Sequence, residues 1–143
     1  MIKSSAPPHF VEPQDLGNRD WGSETLLGAI EGQFTLKRLL LKAGCKGGLQ
    51  FHRKKDEMAI VISGELLVRF DDGTGNLTER VLKPGQVVRF PPGVVHQEEA
   101  ISDCELIEVS TPYLNDRVRV EAMYGLPENG GLPTTQAEEI ESI

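Results

Sequence analysis

The chain has 143 residues, with 22 acidic against 15 basic side chains and a net charge of −7. That length supports one domain with a core of ordinary size, and the acidic balance argues against nucleic acid or an anionic membrane as partner. No stretch reaches the length of a membrane span, and Met1 to Pro8 lacks the apolar core of a signal peptide, so the expected location is the cytoplasm.

Residues 1–20 are Pro-rich and read as an irregular arm lying on the body of the domain or on a partner subunit. From Trp21 onward the pattern is β. Phe34 to Lys42 reads as a strand stopped by Ala43-Gly44. Met58 to Ser63 is a continuous apolar run of strand length, expected to be buried on both faces. Gly64 breaks it and Glu65 to Phe70 resumes it. The turn signal Asp71-Asp72-Gly73-Thr74-Gly75-Asn76 joins this strand to a hairpin partner, Leu77 to Leu82. Lys83-Pro84-Gly85-Gln86 is a further turn. Val87 to Phe90, Val95 to Ala100 and Glu105 to Ser110 complete the strands. No helical period is sustained, and short strands separated by turns at intervals of about eight to twelve residues indicate a sandwich or barrel. Residues 126–143 are rich in Gly, Pro and Glu and read as a poorly ordered tail. The body is therefore expected over residues 21–125. Two cysteines, Cys45 and Cys104, suit reduced thiols rather than a disulfide framework. Gly64 and Gly93 are expected where the chain needs positive φ or close backbone approach.

Two segments carry the strongest signal. Gly44, Gln50, His52, Glu57 and Gly64 follow the spacing G-x5-H-x-H-x3,4-E-x6-G, with Gln50 in place of the first histidine. Gly85, Pro91, Gly93 and His96 follow G-x5-P-x-G-x2-H. These spacings resemble the two signature motifs of the cupin superfamily. The resemblance implies an all-β, single-domain fold, a small double-stranded β-helix (the cupin jelly-roll barrel). It also implies a metal site built from Gln50, His52, Glu57 and His96. Gln50 and His52 are two residues apart, so on a strand both point to one face, toward a barrel interior. Two imidazoles, a carboxylate and an amide oxygen suit one divalent ion, Zn²⁺ first, with Mn²⁺, Fe²⁺, Ni²⁺ or Co²⁺ as alternatives.

Gln-x-His in place of His-x-His is also the form found in phosphomannose isomerases. The likeness extends to the C-terminal isomerase domain of bifunctional (type II) mannose-6-phosphate isomerase/mannose-1-phosphate guanylyltransferases. It rests on Asp20-Trp21-Gly22, on Phe34-Thr35-Leu36-Lys37-Arg38, on Leu49-Gln50-Phe51-His52, on Leu106-Ile107-Glu108-Val109, and on the segment from Asp116 to Gly125 with Arg119, Glu121 and Tyr124-Gly125. The nucleotidyltransferase domain has no counterpart here. The family's His-rich stretch is Arg53-Lys54-Lys55, its aromatic after the metal glutamate is Ala59, and its arginine after Tyr-Gly is Leu126.

The resemblance implies a metal-dependent sugar or sugar phosphate isomerase or epimerase. Such a reaction needs a Lewis acid, a proton-transfer group and a cation for the phosphate. Lys37 and Arg119 are the candidates for catalysis and substrate contact, with Arg53 and Lys54 as alternatives at the rim. The general base is not identifiable from the sequence. A non-catalytic cupin binding a small carbohydrate or metabolite is the alternative from another class. A metal-dependent dioxygenase is a third, disfavoured by Gln50. Exposed sheet edges and the N-terminal arm point to a homodimer.

Overall fold

The structure is a computed structural model and describes residue 3, residues 5–128 and residues 130–143. Among these residues eleven strands form two antiparallel sheets. They are β1 (Gln14–Arg19), β2 (Gly22–Ile30), β3 (Phe34–Leu41), β4 (Gln50–Phe51), β5 (Glu57–Ser63), β6 (Leu66–Asp71), β7 (Leu77–Leu82), β8 (Val87–Phe90), β9 (His96–Ala100), β10 (Cys104–Ser110) and β11 (Val118–Arg119). One sheet runs β1-β2-β3-β10-β5-β8 and the other β11-β4-β9-β6-β7. Apart from the β1-β2-β3 run and the β6-β7 hairpin, consecutive strands alternate between the sheets, and the architecture is a single-domain all-β jelly roll.

Alternation along the strands divides the interior into two halves. Across β3 and β10, Leu41 pairs with Cys104 and Leu39 with Leu106, and Leu106 faces Val61 on β5. These residues join Leu66, Val68, Leu82 and Ala100 in an apolar core. Two residues further along, the same inward face carries Lys37 opposite Glu108, and then Thr35 opposite Ser110, whose hydroxyls lie 2.8 Å apart. Glu57 stands across from Ser110 on the other side. The closed half of the barrel is therefore filled by hydrophobic burial. The other half holds buried polar and charged groups, which have to be paired there.

Several expectations change. β5 is not buried on both faces: Met58 and Ile62 are 42% and 45% exposed. The segment expected as an irregular arm ends in β1, which adds to the sheet edge by pairing with β2. The C-terminal segment is docked rather than loose. The Thr135 amide donates to the Arg117 carbonyl (3.0 Å), the Leu114 amide to Glu141 (3.0 Å) and the Gly32 amide to Ile143 (2.8 Å). Those backbone pairs are not readable from composition. Residues 1, 2, 4 and 129 of the two segments lie outside the described residues.

Gly64 sits in the tight connection between β5 and β6 with φ of 84°. A Cβ there would stand 2.1 Å from the Asp103 carbonyl oxygen, so both the backbone conformation and the close approach require glycine.

A candidate metal centre and its cavity

His52, Glu57 and His96 reach the polar half of the barrel from three places. Glu57 opens β5 and His96 opens β9, while His52 follows β4. The Gly93 amide donates to the His52 carbonyl (2.8 Å), which ties the second sequence motif to the first. One ligand atom from each of the three lies within 4.8 Å of the other two, and all three residues are buried.

The hydrogen bonds around the rings decide what these atoms offer. Nδ1 of His52 faces the Asp116 carbonyl at 2.5 Å, and Nδ1 of His96 faces the Val94 carbonyl at 3.0 Å. A carbonyl oxygen only accepts, so both protons of the neutral rings sit on Nδ1 and both Nε2 atoms carry lone pairs. Those lone pairs converge on Glu57 Oε1, at 3.1 Å and 3.2 Å. Three acceptors facing one another, with their outer partners fixing the ring tautomers, form the donor set of a cation site. His96 is held further by Phe90, stacked on it at 3.8 Å between ring centroids. Burial and the nearby Lys55 ammonium push the His52 imidazole below its usual pKa, which keeps the ring neutral.

Lys55 was not singled out by the sequence. Its Nζ lies 2.8 Å from Glu57 Oε2 and 4.0 Å from Glu108 Oε1. It therefore holds the far oxygen of Glu57 and leaves Oε1 toward the histidines. Burial is the largest single effect on the Glu57 carboxyl and pushes it up, but Lys55 and the two histidines together outweigh it and hold the group well below the ordinary range. The ammonium in turn rises above its ordinary value against the opposing effect of burial, through Glu57 and then Glu108.

The triad opens into a cavity of about 300 Å³, at the lower end of the range of about 300–1,000 Å³ for small-molecule pockets. Gln50 lines it and is the cross-strand partner of His96. Lys37 and Arg119 line it as well, but each cation is already engaged. Lys37 Nζ lies 2.7 Å from Glu24 Oε1. Arg119 grips the Glu121 carboxylate with Nε at 2.9 Å and Nη2 at 2.8 Å, and its Nη1 meets the Leu132 carbonyl at 3.2 Å. Arg53 and Lys54 do not line the cavity. The Asp116 carboxylate accepts the backbone amides of Arg53 (3.0 Å), Lys54 (2.7 Å) and Lys55 (2.9 Å). This folds the triplet into a turn that sends Arg53 to the Thr135 carbonyl and Lys54 over the Tyr113 ring, and only Lys55 inward.

Two carboxyls in the cavity wall were also missed. Glu98, half-buried two residues after His96, is pushed up to about 7 by burial and then by Glu57. Glu108, buried, is pushed up to about 8 by the same two causes. The period-two alternation could have found both, since Glu98 shares a face with His96 and Glu108 with Leu106. Arg117 and Arg19 complete the rim.

Known proteins give a consistent picture. Residues 37–110 match the family described as a cupin domain. Among curated proteins, the chain is 36% identical over 112 residues to the alginate biosynthesis protein AlgA of Pseudomonas aeruginosa. The match covers 75% of this chain and 22% of AlgA, so the chain spans about a fifth of that relative. Among solved structures, the capsular polysaccharide assembling protein CapF of Staphylococcus aureus superposes with a TM-score of 0.67 at 21% identity, over 78% of this chain and 32% of that one. A cupin-2 domain protein from Shewanella frigidimarina superposes with a TM-score of 0.53 at 23% identity, over 66% and 83%. The last two likenesses bear on the fold alone.

Proposed function

The chain belongs to the cupin family, and from that premise we propose that it is a metal-dependent isomerase or epimerase of a sugar or sugar phosphate. The observation that carries the metal reading is the convergence of two histidine lone pairs on Glu57 Oε1. The similarity to AlgA, an alginate biosynthesis protein, supports a carbohydrate as ligand.

In this reading His52, Glu57 and His96 hold the ion, Gln50 supplies a fourth, weaker ligand, and Zn²⁺ is the first choice of metal. When bound, the ion supplies Lewis-acid polarisation of a substrate oxygen. Lys55 keeps Glu57 ionised and oriented. Aldose–ketose isomerisation moves one proton between adjacent carbons and consumes no oxidant, so it needs one group that takes the proton and returns it. We assign that exchange to Glu108. It is buried in the cavity wall, its nearest ion partner is 4.0 Å away, and its pKa of about 8 lies near neutrality. Lys37 and Arg119 shape the cavity through their carboxylate partners rather than by chemistry.

The test is metal content by mass spectrometry on protein purified without a metal-affinity tag, followed by conversion of mannose 6-phosphate to fructose 6-phosphate. Near-stoichiometric metal that is lost in His52→Ala and His96→Ala, with turnover in the parent, is the expected result. Bound metal without turnover of any hexose phosphate would leave a carbohydrate-binding cupin in its place. Oxygen uptake with bound iron would replace it with a dioxygenase.

We also infer a homodimer. The outer face of the six-stranded sheet carries Met58, Ile62, Val87, Leu40 and Val109, each at least 38% exposed, and apolar area of this kind is what subunit contacts cover. Light scattering that gives a monomer mass at micromolar concentration refutes this.

Among the described residues no helix is long and apolar enough to cross a membrane.

A further inference from the structure

Six cations line the cavity, Arg19, Lys37, Lys46, Lys55, Arg117 and Arg119, and Arg19, Lys37, Lys55 and Arg119 have carboxylate partners. Glu24 is shared between Lys37 at 2.7 Å and Arg19 at 3.3 Å. Both oxygens of Glu121 are committed to the Nε/Nη2 edge of Arg119. Arg117 forms no ion pair among the described residues. Its neighbour Asp116 spends its carboxylate on the amides of Arg53, Lys54 and Lys55. The protein contacts of the Arg117 guanidinium are two long ones from a single nitrogen, Nη1 to the Asn115 carbonyl (3.3 Å) and to Thr135 Oγ1 (3.4 Å). A guanidinium has five N–H donors in a planar fork that fits two oxygens of one anion. Arg117 therefore lines the cavity half-buried, with most of its donors unused by the protein and no carboxylate at ion-pair distance among the described residues.

We propose that Arg117, with Arg19 beside it, is an anion subsite on the rim of the metal cavity, and that it holds a phosphate or carboxylate carried by the substrate. The cost of leaving a cation desolvated without a partner is the physical reason. Burial and then the like charge of Arg19 depress the Arg117 pKa below the usual arginine value, against the opposing charges of Glu24 and Asp116. The assignment differs from the sequence expectation, which placed this role on Arg119 and Lys37. The subsite deepens the reading above by naming an anionic substrate, and it rests on that reading only for the sugar.

The experiment is titration calorimetry on the full chain, stripped of metal with EDTA so that no anion binds through an ion, using inorganic phosphate and acetate as probes. The parent is expected to bind at least one of them. Arg117→Gln should weaken binding about tenfold or more, Arg117→Lys should lose less because it keeps the charge but not the fork, and Arg38→Gln on the outer face should stay within about twofold. Stronger binding of phosphate identifies a phosphate ester, and stronger binding of acetate identifies a sugar acid. If Arg117→Gln fails to fold, Arg117→Lys carries the test. No binding of either anion by the parent, or equal binding by the Arg117 variants, overturns the subsite. The two proposals fail separately. Arg117-dependent binding without turnover leaves the subsite and removes the isomerase. Turnover of mannose 6-phosphate with KM unchanged in Arg117→Gln does the reverse.

Discussion

Replacing Lys55 with methionine removes the lysine that, among the described residues, pairs with the candidate metal glutamate inside the barrel. The Lys55–Glu57 pair is 2.8 Å apart with side chains 11% and 4% exposed. At that separation the Coulomb attraction is about 6 kcal/mol for an effective dielectric near 20, and desolvation of both ions offsets part of it. Breaking such a pair by removing one partner leaves an uncompensated buried charge, a loss of about 3–5 kcal/mol, or a fall of about 10–20 °C in Tm for a chain of this size. Methionine keeps the length and apolar body of the side chain, so packing is largely retained. The assay is thermal and urea unfolding of metal-free protein at pH 7, with Lys54→Met as comparison. Lys54 is exposed and its loss should stay within about 1 kcal/mol. The sign with pH follows from the shifts. Glu57 is depressed, so its contribution is present above 4.5 and lost as pH falls through its lower folded value. Lys55 is raised, so its contribution is present below 10.5 and lost as pH rises through its higher folded value. The penalty of Lys55→Met is therefore flat between these limits and shrinks in acid. Zn²⁺ should narrow the gap, because a dication at Oε1 supplies charge that Glu57 has lost. A loss below about 1 kcal/mol, or equal losses for Lys54 and Lys55, refutes the reasoning.

Glu108→Gln should reverse the usual pH trend. The Glu108 carboxyl is raised from 4.5 to about 8, so its contribution is complete below 4.5 and is lost as pH rises through 8. In metal-free protein the variant should match the parent near pH 5 and exceed it by a few kcal/mol at pH 9; urea midpoints that track each other across this range contradict the assignment. Gly64→Ala should destabilise by about 2–4 kcal/mol, because it combines left-handed backbone with a clash against the Asp103 carbonyl, whereas Gly73→Ala, with nothing within 4 Å, should cost less; equal Tm values for the two fail this prediction. Tyr124 donates to Asp71 Oδ2 at 2.5 Å and is raised to about 12, so ultraviolet titration should show one tyrosine ionising late, and Asp71→Asn should bring it back toward 10. Hydrogen exchange should find the Thr135 amide protected, since it donates to Arg117 within the docked tail; exchange at the rate of an unstructured peptide would contradict the docking.

Seven of the eleven strands were legible because their cause is local. Alternation and β-branched runs mark β3, β5, β6, β7, β8, β9 and β10 within one or two residues, and the glycine- and aspartate-rich turns separate them. β4 and β11, at two residues each, are too short to carry a period and exist only because Gln50 pairs with His96 and Arg119 pairs with Gln50. β1 was hidden by the proline-rich segment in front of it. The motif spacing placed His52, Glu57 and His96 together, since a strand sends every second residue to one face and Gly64 and Gly93 set where the strands turn. Charge pairing was not readable in this way. Spacing cannot say which of Arg53, Lys54 and Lys55 turns inward. That choice is made by Asp116, some sixty residues away in the chain, whose carboxylate collects three consecutive amides. The same holds for Arg119, which is paired with Glu121 and a tail carbonyl, and for Arg117, which has no ion pair among the described residues. The sequence by itself determined seven of the strands, the barrel and the convergence of His52, Glu57 and His96, because these follow from local periodicity and steric rules. The tertiary structure alone decided which charges neutralise one another, because Coulomb and desolvation energies depend on distances between segments that only the closed barrel brings together.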